Sequence, residues 1–307
     1  MSKKYLPAIL ILLTAGVVLA AVLLLQGHTI AILQPKGQIA QHQFDLMVIT
    51  ALLSLIVVVP VFAMTAYIAW NYREGNTKAK YQPNWDHSQL AESIWWFIPL
   101  ALISILAAIT WVSSHRLDPY KPLASTNNPL TIQVVALQWK WLFIYPQQDI
   151  ASVNYVQLPV DTPVTFEITA DAPMNSFWIP QLGGQVYAMA GMQTKLHLMA
   201  SEAGNYRGSS ANISGEGFAG MKFTAHASSQ EDFDQWVQTA KQSPKQLGKG
   251  EYTALAKPSK DNKVATYAAA DENLYHTIMM KYMAPNYGAS AETNLQNAQG
   301  TQHVHSH

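Results

Sequence analysis

The sequence predicts a membrane-anchored protein in which an N-terminal transmembrane helical hairpin precedes an all-β sandwich and C-terminal helices. Two observations predict this fold class. Charged residues make up 12% of the 307 residues, about half of the roughly 25% that is usual in soluble proteins, and three apolar runs in the first 115 residues account for the deficit. From Asn128 onward, short stretches rich in β-branched and aromatic residues alternate with turn residues, which is typical of a sandwich.

Composition also excludes several kinds of function. The formal net charge is zero, whereas a nucleic-acid partner would require a basic face. The chain has no cysteine, which excludes disulfides, thiolate catalysis, cysteine-ligated metal and lipid attached through cysteine.

Two of the apolar runs are long enough to cross a bilayer. A hydrocarbon core of about 30 Å needs roughly 20 apolar residues as a helix. The runs Leu46–Trp70 and Ser93–Ser114 meet this length without a charge. They predict a hairpin over 28–115, with spans at about 46–70 and 93–114. Tryptophans near their ends fit the aromatic belt of a membrane protein: Trp70, Trp95, Trp96 and Trp111.

The first run, Leu6–Leu25, follows Lys3 and Lys4. A basic start followed by an apolar stretch predicts an export signal. Its end lacks a clear small-x-small cleavage site, so residues 1–27 are either a removed signal sequence or a retained signal anchor.

Loop charge predicts the orientation of the hairpin. The loop between the second and third runs carries Arg73, Lys78 and Lys80, whereas the loop before it has only Lys36. Since positive loops stay in the cytoplasm, the chain after Ser114 is expected on the opposite, non-cytoplasmic side of the membrane. Arg116 and Lys121, just beyond the third run, act against this prediction.

The exported part is predicted as an antiparallel sandwich over residues 128–227. The stretch "LTIQVVALQWKWLFIYP" is expected to be its first strand, and turn residues separate the strands that follow. Those further strands are expected at Val153–Leu158, Pro163–Thr169, Phe177–Pro180, Lys195–Ala200 and Met221–Ala227. The glycine- and serine-rich stretch from Gly204 is expected to be a loop.

A helical, aromatic-rich region is predicted over 228–285. Ser228 with Glu231, or Ser229 with Asp232, forms a capping box at its start. A second helical pattern covers Ala270–Met283. Residues 286–307 are predicted as a disordered tail that ends in "HVHSH".

Several motifs together resemble one known family. They are "AESIWWFIP", "MNSFWIP" and "YRGSSANISGEGFAGM", with "PKGQIA" and "FDQWVQTAKQSP" as further marks. This combination resembles subunit II of the haem–copper terminal oxidases, and most closely the quinol-oxidising, cytochrome bo-type branch. The resemblance extends from about Gln34 to Met283.

The resemblance implies a cupredoxin-like fold for the sandwich and a place in the respiratory chain. The chain would be an accessory subunit of a proton-pumping ubiquinol oxidase, which oxidises ubiquinol and reduces oxygen to water. Haems and copper would lie in the large subunit I, with further small membrane subunits and lipid as neighbours. The location implied is the bacterial inner membrane, with the C-terminal domain in the periplasm.

In the cytochrome-c-oxidising branch, the loop that resembles Ser210–Met221 holds a dinuclear copper centre. Its ligand pattern is a histidine before "S-F/W-x-I/V-P" and then Cys-x-Glu-x-Cys-x-x-x-His-x-x-Met. Thiolate and imidazole are the ligands that such copper needs, and only the methionine remains here. We therefore expect no metal, no cofactor and no catalytic residue in this chain. The corresponding positions are Asn175, Ser210, Asn212, Ser214, Phe218 and Met221.

Glu92 is the one charge at the inner edge of the third run. It is either an interfacial carboxylate that simply faces water, or the entrance of a proton-uptake path into the large subunit. The resemblance implies the second role, and ionisable groups at such helix edges are often proton relays.

Trp139 and Trp141 bracket Lys140 in the first predicted strand, where they are expected to share one face and serve in core or subunit-interface packing. Met189, Met192 and Met199 are interpreted as packing residues, and His197 and His226 as ordinary strand residues.

One alternative function is a membrane-tethered periplasmic copper-binding module that uses these methionines and the terminal histidines. A cytochrome c oxidase subunit is contradicted by the absence of cysteine. At His28, relatives often carry a lipid-modified cysteine that this chain lacks.

Overall fold

The computed structural model describes residues 30–80, 86–125 and 127–283. The predicted signal or anchor segment over 1–27, the position of His28 and the predicted tail over 286–307 lie outside the described residues. So do the histidines of that tail and residues 81–85.

After a 3-10 turn at Ala31–Leu33, the described part continues with two long helices. Helix α1 covers Gln38–Asn71 and helix α2 covers Gln89–Arg116. Both are long and apolar enough to cross a membrane. Pro60 and Pro99 lie inside them, which a membrane environment tolerates because neighbouring groups satisfy the freed carbonyls. Their apolar side chains are widely exposed in the single chain, Trp96 to 74%, so these surfaces need lipid or a protein partner.

The sandwich holds the first turn of α1. The backbone N–H of Lys36 donates to Gln181 O at 2.8 Å, and that of Ala40 donates to Leu182 O at 3.2 Å. The second bond satisfies one of the donors that every helix N-terminus leaves free. Gly37 permits this contact, since a Cβ there would lie 2.7 Å from Met199 O.

The sandwich consists of two mixed sheets. One has six strands in the order β11-β3-β2-β1-β5-β8, and the other has five in the order β4-β10-β9-β6-β7. The strands are β1 Leu130–Leu137, β2 Lys140–Tyr145, β3 Ile150–Val153, β4 Tyr155–Pro159, β5 Val164–Ala170, β6 Asn175–Trp178, β7 Val186–Ala188, β8 Thr194–Leu198, β9 Gly204–Ser210, β10 Lys222–Ser228 and β11 Ala265–Tyr267.

The expectation that all strands run antiparallel is wrong at two pairs. Strands β1 and β5 are parallel, and so are β4 and β10. Each parallel pair joins strands that are distant in the sequence. The alternation of residues within one strand does not indicate which distant strand it pairs with or in which direction.

The expected first strand is divided in two, and the expected strand Val153–Leu158 corresponds to β4 with only Val153 in β3. The first breaks into the β1–β2 hairpin at Trp139, whose φ is +66°, and the second breaks between β3 and β4 at Asn154, whose φ is +56°. A left-handed residue ends a strand because it turns the chain. Asparagine tolerates this conformation, whereas a tryptophan in it is uncommon.

The core between the sheets is strongly aromatic. Trp141, Phe143, Phe177 and Phe223 pack together, and the rings of Phe177 and Phe223 stack with their centroids 5.1 Å apart. All four side chains are buried. A second cluster on the outer face of the larger sheet packs Leu142 and Ile144 against Leu274 and Ile278.

The C-terminal region contains three short helices: α3 Gln230–Lys241, α4 Lys249–Leu255 and α5 Leu274–Met280. Ser229 caps α3 by accepting from Asp232 N at 3.1 Å, which selects the second of the two expected capping boxes. Helix α5 is shorter than the expected Ala270–Met283 because Asp271 and Asn273 organise a turn before it.

Candidate functional site

The stretch from Gly204 to Met221 is partly strand. Gly204–Ser210 forms β9 and pairs with β10, which corrects the expectation of a loop throughout. The remaining loop ends in a 3-10 turn over Phe218–Gly220. Ser210 N donates to Met221 O at 3.2 Å, so the two ends of the loop are joined by a backbone hydrogen bond.

Three of the positions that resemble copper ligands meet at one end of this loop. Ser210 Oγ donates to Asn175 Oδ1 at 2.9 Å. Asn212 O accepts from the same hydroxyl group at 3.2 Å, while Asn212 Nδ2 donates to Met174 O at 3.0 Å. Asn175 and Ser210 are buried. The Ser210 hydroxyl group therefore pairs with the side-chain oxygen of Asn175, and the Asn175 amide group donates to Pro173 O at 2.7 Å, so both buried side chains have partners, as buried polar groups must.

The other three positions are held separately. Ser214 O accepts from Trp139 Nε1 at 3.1 Å, whereas Ser214 Oγ is buried without a hydrogen-bond partner among the described residues. Phe218 begins the 3-10 turn and is half-buried. Met221 is buried and belongs to the sandwich core.

Trp139 covers this loop from the β1–β2 turn. A Cβ added at Gly217 would lie 2.3 Å from Trp139 Cδ2, and one at Gly215 would lie 3.4 Å from its Cζ2. Lys260 Nζ lies 5.5 Å from the centroid of the ring, within the range of a cation–π contact. Trp141 lies fully in the core. Trp139 belongs to the turn between β1 and β2 and not to a strand, so the expected shared strand face is absent, but it packs against the same core cluster.

The chemistry of this site follows from its donor set. Hydroxyl and amide groups are hard ligands, and the geometry already uses them in mutual hydrogen bonds. Mixed-valence copper prefers thiolate and imidazole. Within residues 30–80, 86–125 and 127–283, no three histidine, aspartate or glutamate side chains are grouped so that they could hold a metal ion.

Lys140, between the two tryptophans, is a buried residue for which the sequence predicted no role of its own. Its Nζ donates to Leu255 O, Lys257 O and Ser259 Oγ at 2.8, 2.8 and 2.5 Å. Burial lowers the pKa of this ammonium group. Three oxygen acceptors match its three donors, so Lys140 ties the end of α4 to the sheet.

Asp171 is a second residue that sequence reasoning missed. It follows β5 and its side chain is 3% exposed. Its carboxylate accepts from Lys281 Nζ at 2.7 Å, from Tyr252 Oη at 2.5 Å and from Tyr282 Oη. Burial acts to raise the pKa of Asp171, but the three hydrogen bonds outweigh burial and the pKa lies below its ordinary value. Lys140 and Asp171 thus fasten the C-terminal region to the larger sheet.

Glu92 lies in the first turn of α2, far along the chain from the loop. Its Oε1 atom lies 2.5 Å from His87 Nδ1 and accepts from Ser88 N at 3.3 Å. Ser88 Oγ in turn accepts from Ala91 N at 3.4 Å. This reciprocal arrangement resembles a capping box, and Glu92 remains partly exposed beside it.

The family model "Cytochrome C oxidase subunit II, periplasmic domain" matches residues 148–227. The model "COX Aromatic Rich Motif" matches residues 241–286, the region that Lys140 and Asp171 fasten to the sheet. Helix α4, strand β11 and helix α5 all lie in this second match.

Relatives match nearly the whole chain. "Cytochrome bo(3) ubiquinol oxidase subunit 2" of Pseudomonas putida is 52% identical over 288 residues, which is 94% of this chain and 90% of the relative. The protein of the same name from Pseudomonas aeruginosa is 50% identical over 86% of this chain and 80% of its own length. "Ubiquinol oxidase subunit 2" of Acetobacter aceti is 48% identical over 86% of each chain.

These matches confirm the family resemblance that the motifs predicted and the cupredoxin-like class of the sandwich. With two membrane-capable helices, a two-sheet sandwich and the aromatic-rich segment on its outer face, the chain belongs to the cytochrome bo(3)-type ubiquinol oxidase subunit 2 family.

Proposed function

We propose that this chain is the accessory second subunit of a ubiquinol oxidase of the inner membrane, and that it carries no redox centre. Electrons enter the complex from ubiquinol bound in the large subunit I, which also holds the haems and copper. The observation that carries this proposal is the Ser210–Asn175 hydrogen bond at 2.9 Å, which occupies two positions that copper would require as thiolate and imidazole.

The donor set does not fit a dinuclear copper centre. Six positions correspond to its ligands, and Met221 alone retains the ligand type. That methionine is packed in the core, where its thioether serves as an apolar group. No electron-transfer step therefore passes through Asn175, Ser210, Asn212, Ser214 or Phe218.

The helices support a packing role against subunit I. Their exposed faces carry large apolar side chains, including Phe62 at 72% and Trp96 at 74%. Helix association within a bilayer depends on close packing, since lipid tails are as apolar as the side chains. We infer that these faces bind the large subunit and further small membrane subunits, with lipid on the remainder.

Glu92 supports a second role, as the cytoplasmic entrance of a proton-uptake path. It combines partial exposure with a hydrogen-bonding histidine, His87, at 2.5 Å. A carboxylate and an imidazole at the edge of a membrane helix can collect a proton from water and pass it inward.

A donor assay on the purified complex tests the main proposal. We expect oxygen consumption with ubiquinol and none with reduced soluble cytochrome c, and no copper bound to the separated second subunit. Oxidation of cytochrome c at a rate comparable to that of ubiquinol would reject the proposal. Stoichiometric copper in the separated subunit would instead support the alternative of a copper-binding module.

A further inference from the structure

A cavity lined by both charged and apolar side chains lies where the two long helices meet the sandwich. Its volume is about 390 Å³. Three parts of the chain form its walls: the first turns of α1, the end of α2 with the segment after it, and the edge of the sandwich. The lining side chains that are charged or can form hydrogen bonds with a ligand include His42, Gln43, Arg116, Asp118, Lys121 and His197.

The height of this cavity matches the headgroup layer of a bilayer. On α1, His42 precedes the apolar run at Leu46 by four residues, which corresponds to about 6 Å along a helix. On α2, Arg116 follows the end of the apolar run at Ser114. Each headgroup layer is about 5–7 Å thick, since a bilayer of 40–45 Å contains a core of about 30 Å. The cavity therefore opens beside headgroups whichever side of the membrane it faces.

The charge of the walls favours an anion. Arg116 and Lys121 supply two cations, and neither forms an ion pair within the described part of the chain. Asp118 is the acidic residue of the wall, and its Oδ1 accepts from Tyr120 N at 2.9 Å. Two cations against one carboxylate leave an excess of one positive charge.

The two histidines add hydrogen-bonding capacity. His42 Nε2 lies 3.4 Å from Arg116 Nη2. His197 is buried, and its Nδ1 lies 3.1 Å from Thr165 Oγ1. Burial and the charge of Lys195 lower the pKa of His197, which favours its neutral form. Neutral imidazole and the amide of Gln43 can both donate to phosphate oxygens.

We propose that this cavity binds the phosphate headgroup of a glycerophospholipid from the adjacent leaflet. Arg116 and Lys121 contact the phosphodiester, whose single negative charge matches the excess charge of the walls. The acyl chains run along the exposed apolar surface of α1 and α2 below His42. The inference rests on the two helices crossing the membrane and does not depend on the direction in which they cross.

The experiment uses the intact oxidase complex, purified with limited delipidation and analysed by native mass spectrometry. The test variant is Arg116→Gln with Lys121→Gln, and the matched control is Lys241→Gln with Lys249→Gln on helices α3 and α4. Each basic side chain near a membrane surface contributes roughly fivefold to the binding of anionic lipid. We expect the test variant to retain phosphatidylglycerol about 10- to 30-fold more weakly, and the control to behave as wild type.

A photoreactive phosphatidylglycerol in nanodiscs then locates the contact. We expect crosslinks to peptides containing His42 or Lys121, and inorganic phosphate at millimolar concentration should not compete. Equal retention by both double variants would overturn the proposal, as would full competition by inorganic phosphate. So would a native crosslink joining Lys121 to an acidic loop of subunit I, since a protein segment would then fill the cavity.

A charge-conserving variant keeps the test decisive if the neutral one assembles poorly. Arg116→Lys with Lys121→Arg preserves both charges, and since the attraction to anionic lipid depends on the number of charges near the surface, we expect it to retain the lipid within about threefold of wild type. Loss of lipid in this variant, with normal haem content in the complex, would contradict an electrostatic headgroup site.

Discussion

At the scale of single residues, the structure shows the hydrogen-bond partners of side chains whose partners could not be identified from residue type alone. The hydrogen bonds from Ser210 to Asn175 and from Asn212 to Met174 could not be read from the sequence, because they join residues that are far apart in the chain. The chemistry of these residues could be read, since ligand preference depends on residue type. Lys140 and Asp171 were missed because an isolated lysine or aspartate in a β-rich segment gives no signal of its distant partners.

Asp171 should stabilise the C-terminal region through its charge. Replacing one partner of a buried hydrogen-bonded group costs about 1–3 kcal/mol, so we expect Asp171→Asn to lower the stability by that amount and to speed hydrogen exchange in Leu274–Met280. The matched control is Asp234→Asn on α3, an exposed residue that should change neither quantity. Equal exchange rates in the two variants would contradict this role.

The same carboxylate predicts a pH dependence. Its pKa in the folded chain lies below the ordinary value of 3.8, so the unfolded state binds more protons as the pH falls below about 4. The contribution of Asp171 is therefore complete above that pH and is lost as the pH falls through the folded pKa. Thermal unfolding midpoints of wild type and Asp171→Asn should differ above pH 4 and converge below it. A constant difference down to lower pH would show that packing, not charge, is responsible.

Glu92→Gln separates the two possible roles of this residue. Glutamine can still accept from Ser88 N, so the cap of α2 is kept, whereas proton exchange is lost. We expect normal assembly and haem content with roughly tenfold slower oxygen reduction, a modest loss for a proton-transferring group. Quinol oxidase turnover and proton uptake measure this directly. Unchanged turnover in Glu92→Gln would leave only the capping role.

At the scale of elements, periodicity predicted the presence of most strands and failed at their breaks and directions. The hairpin at Trp139 was missed because its turn contains neither glycine nor proline. β9 was missed because glycine and serine predict a loop, although alternate residues of this strand face the core, with Tyr206 and Ser210 buried. The parallel pairs follow from the topology of the whole sandwich, which the pattern within one strand does not contain.

The contact between Trp139 and the loop gives a prediction at this scale. Gly217→Ala places a Cβ 2.3 Å from the fused ring of Trp139, so the loop or the indole must move. Such overpacking costs about 1–3 kcal/mol. The control is Gly250→Ala in α4, where nothing lies within 4 Å of the added Cβ and alanine favours the helix by about 0.5–1 kcal/mol. Thermal unfolding of the full chain in detergent should shift in opposite directions. A neutral Gly217→Ala would mean that the loop packs loosely on Trp139.

At the scale of the whole molecule, the sequence predicted the architecture well, because membrane helices and a sandwich have different periodicities and compositions. The junction between them was not predicted. Leu182 O and Gln181 O hold α1 through backbone hydrogen bonds, which depend on the chain path rather than on residue type. This junction fixes the sandwich directly on the first turns of α1 and so creates the cavity at the membrane surface.

The proposed orientation can be tested because the chain has no cysteine. Single cysteines at Glu74, between the two helices, and at Ser201, on the sandwich, give labelling sites free of background from this chain. With a membrane-impermeant maleimide on intact spheroplasts, we expect Ser201→Cys to react at once and Glu74→Cys to react only after permeabilisation. The reverse pattern would invert the topology.

The hydrogen bond between Ser210 and Asn175 has a consequence for any attempt to build a copper centre into this subunit. Such a centre would require cysteine and histidine at several separate positions. Substitution of Ser210 or Asn175 alone would leave the other buried polar group without this hydrogen bond, at a cost of about 1–3 kcal/mol, and would gain no metal until the remaining ligands were present. Cysteine at 210 and histidine at 175 would therefore have to be introduced together with the other ligands, because either change alone costs stability and gains no metal site.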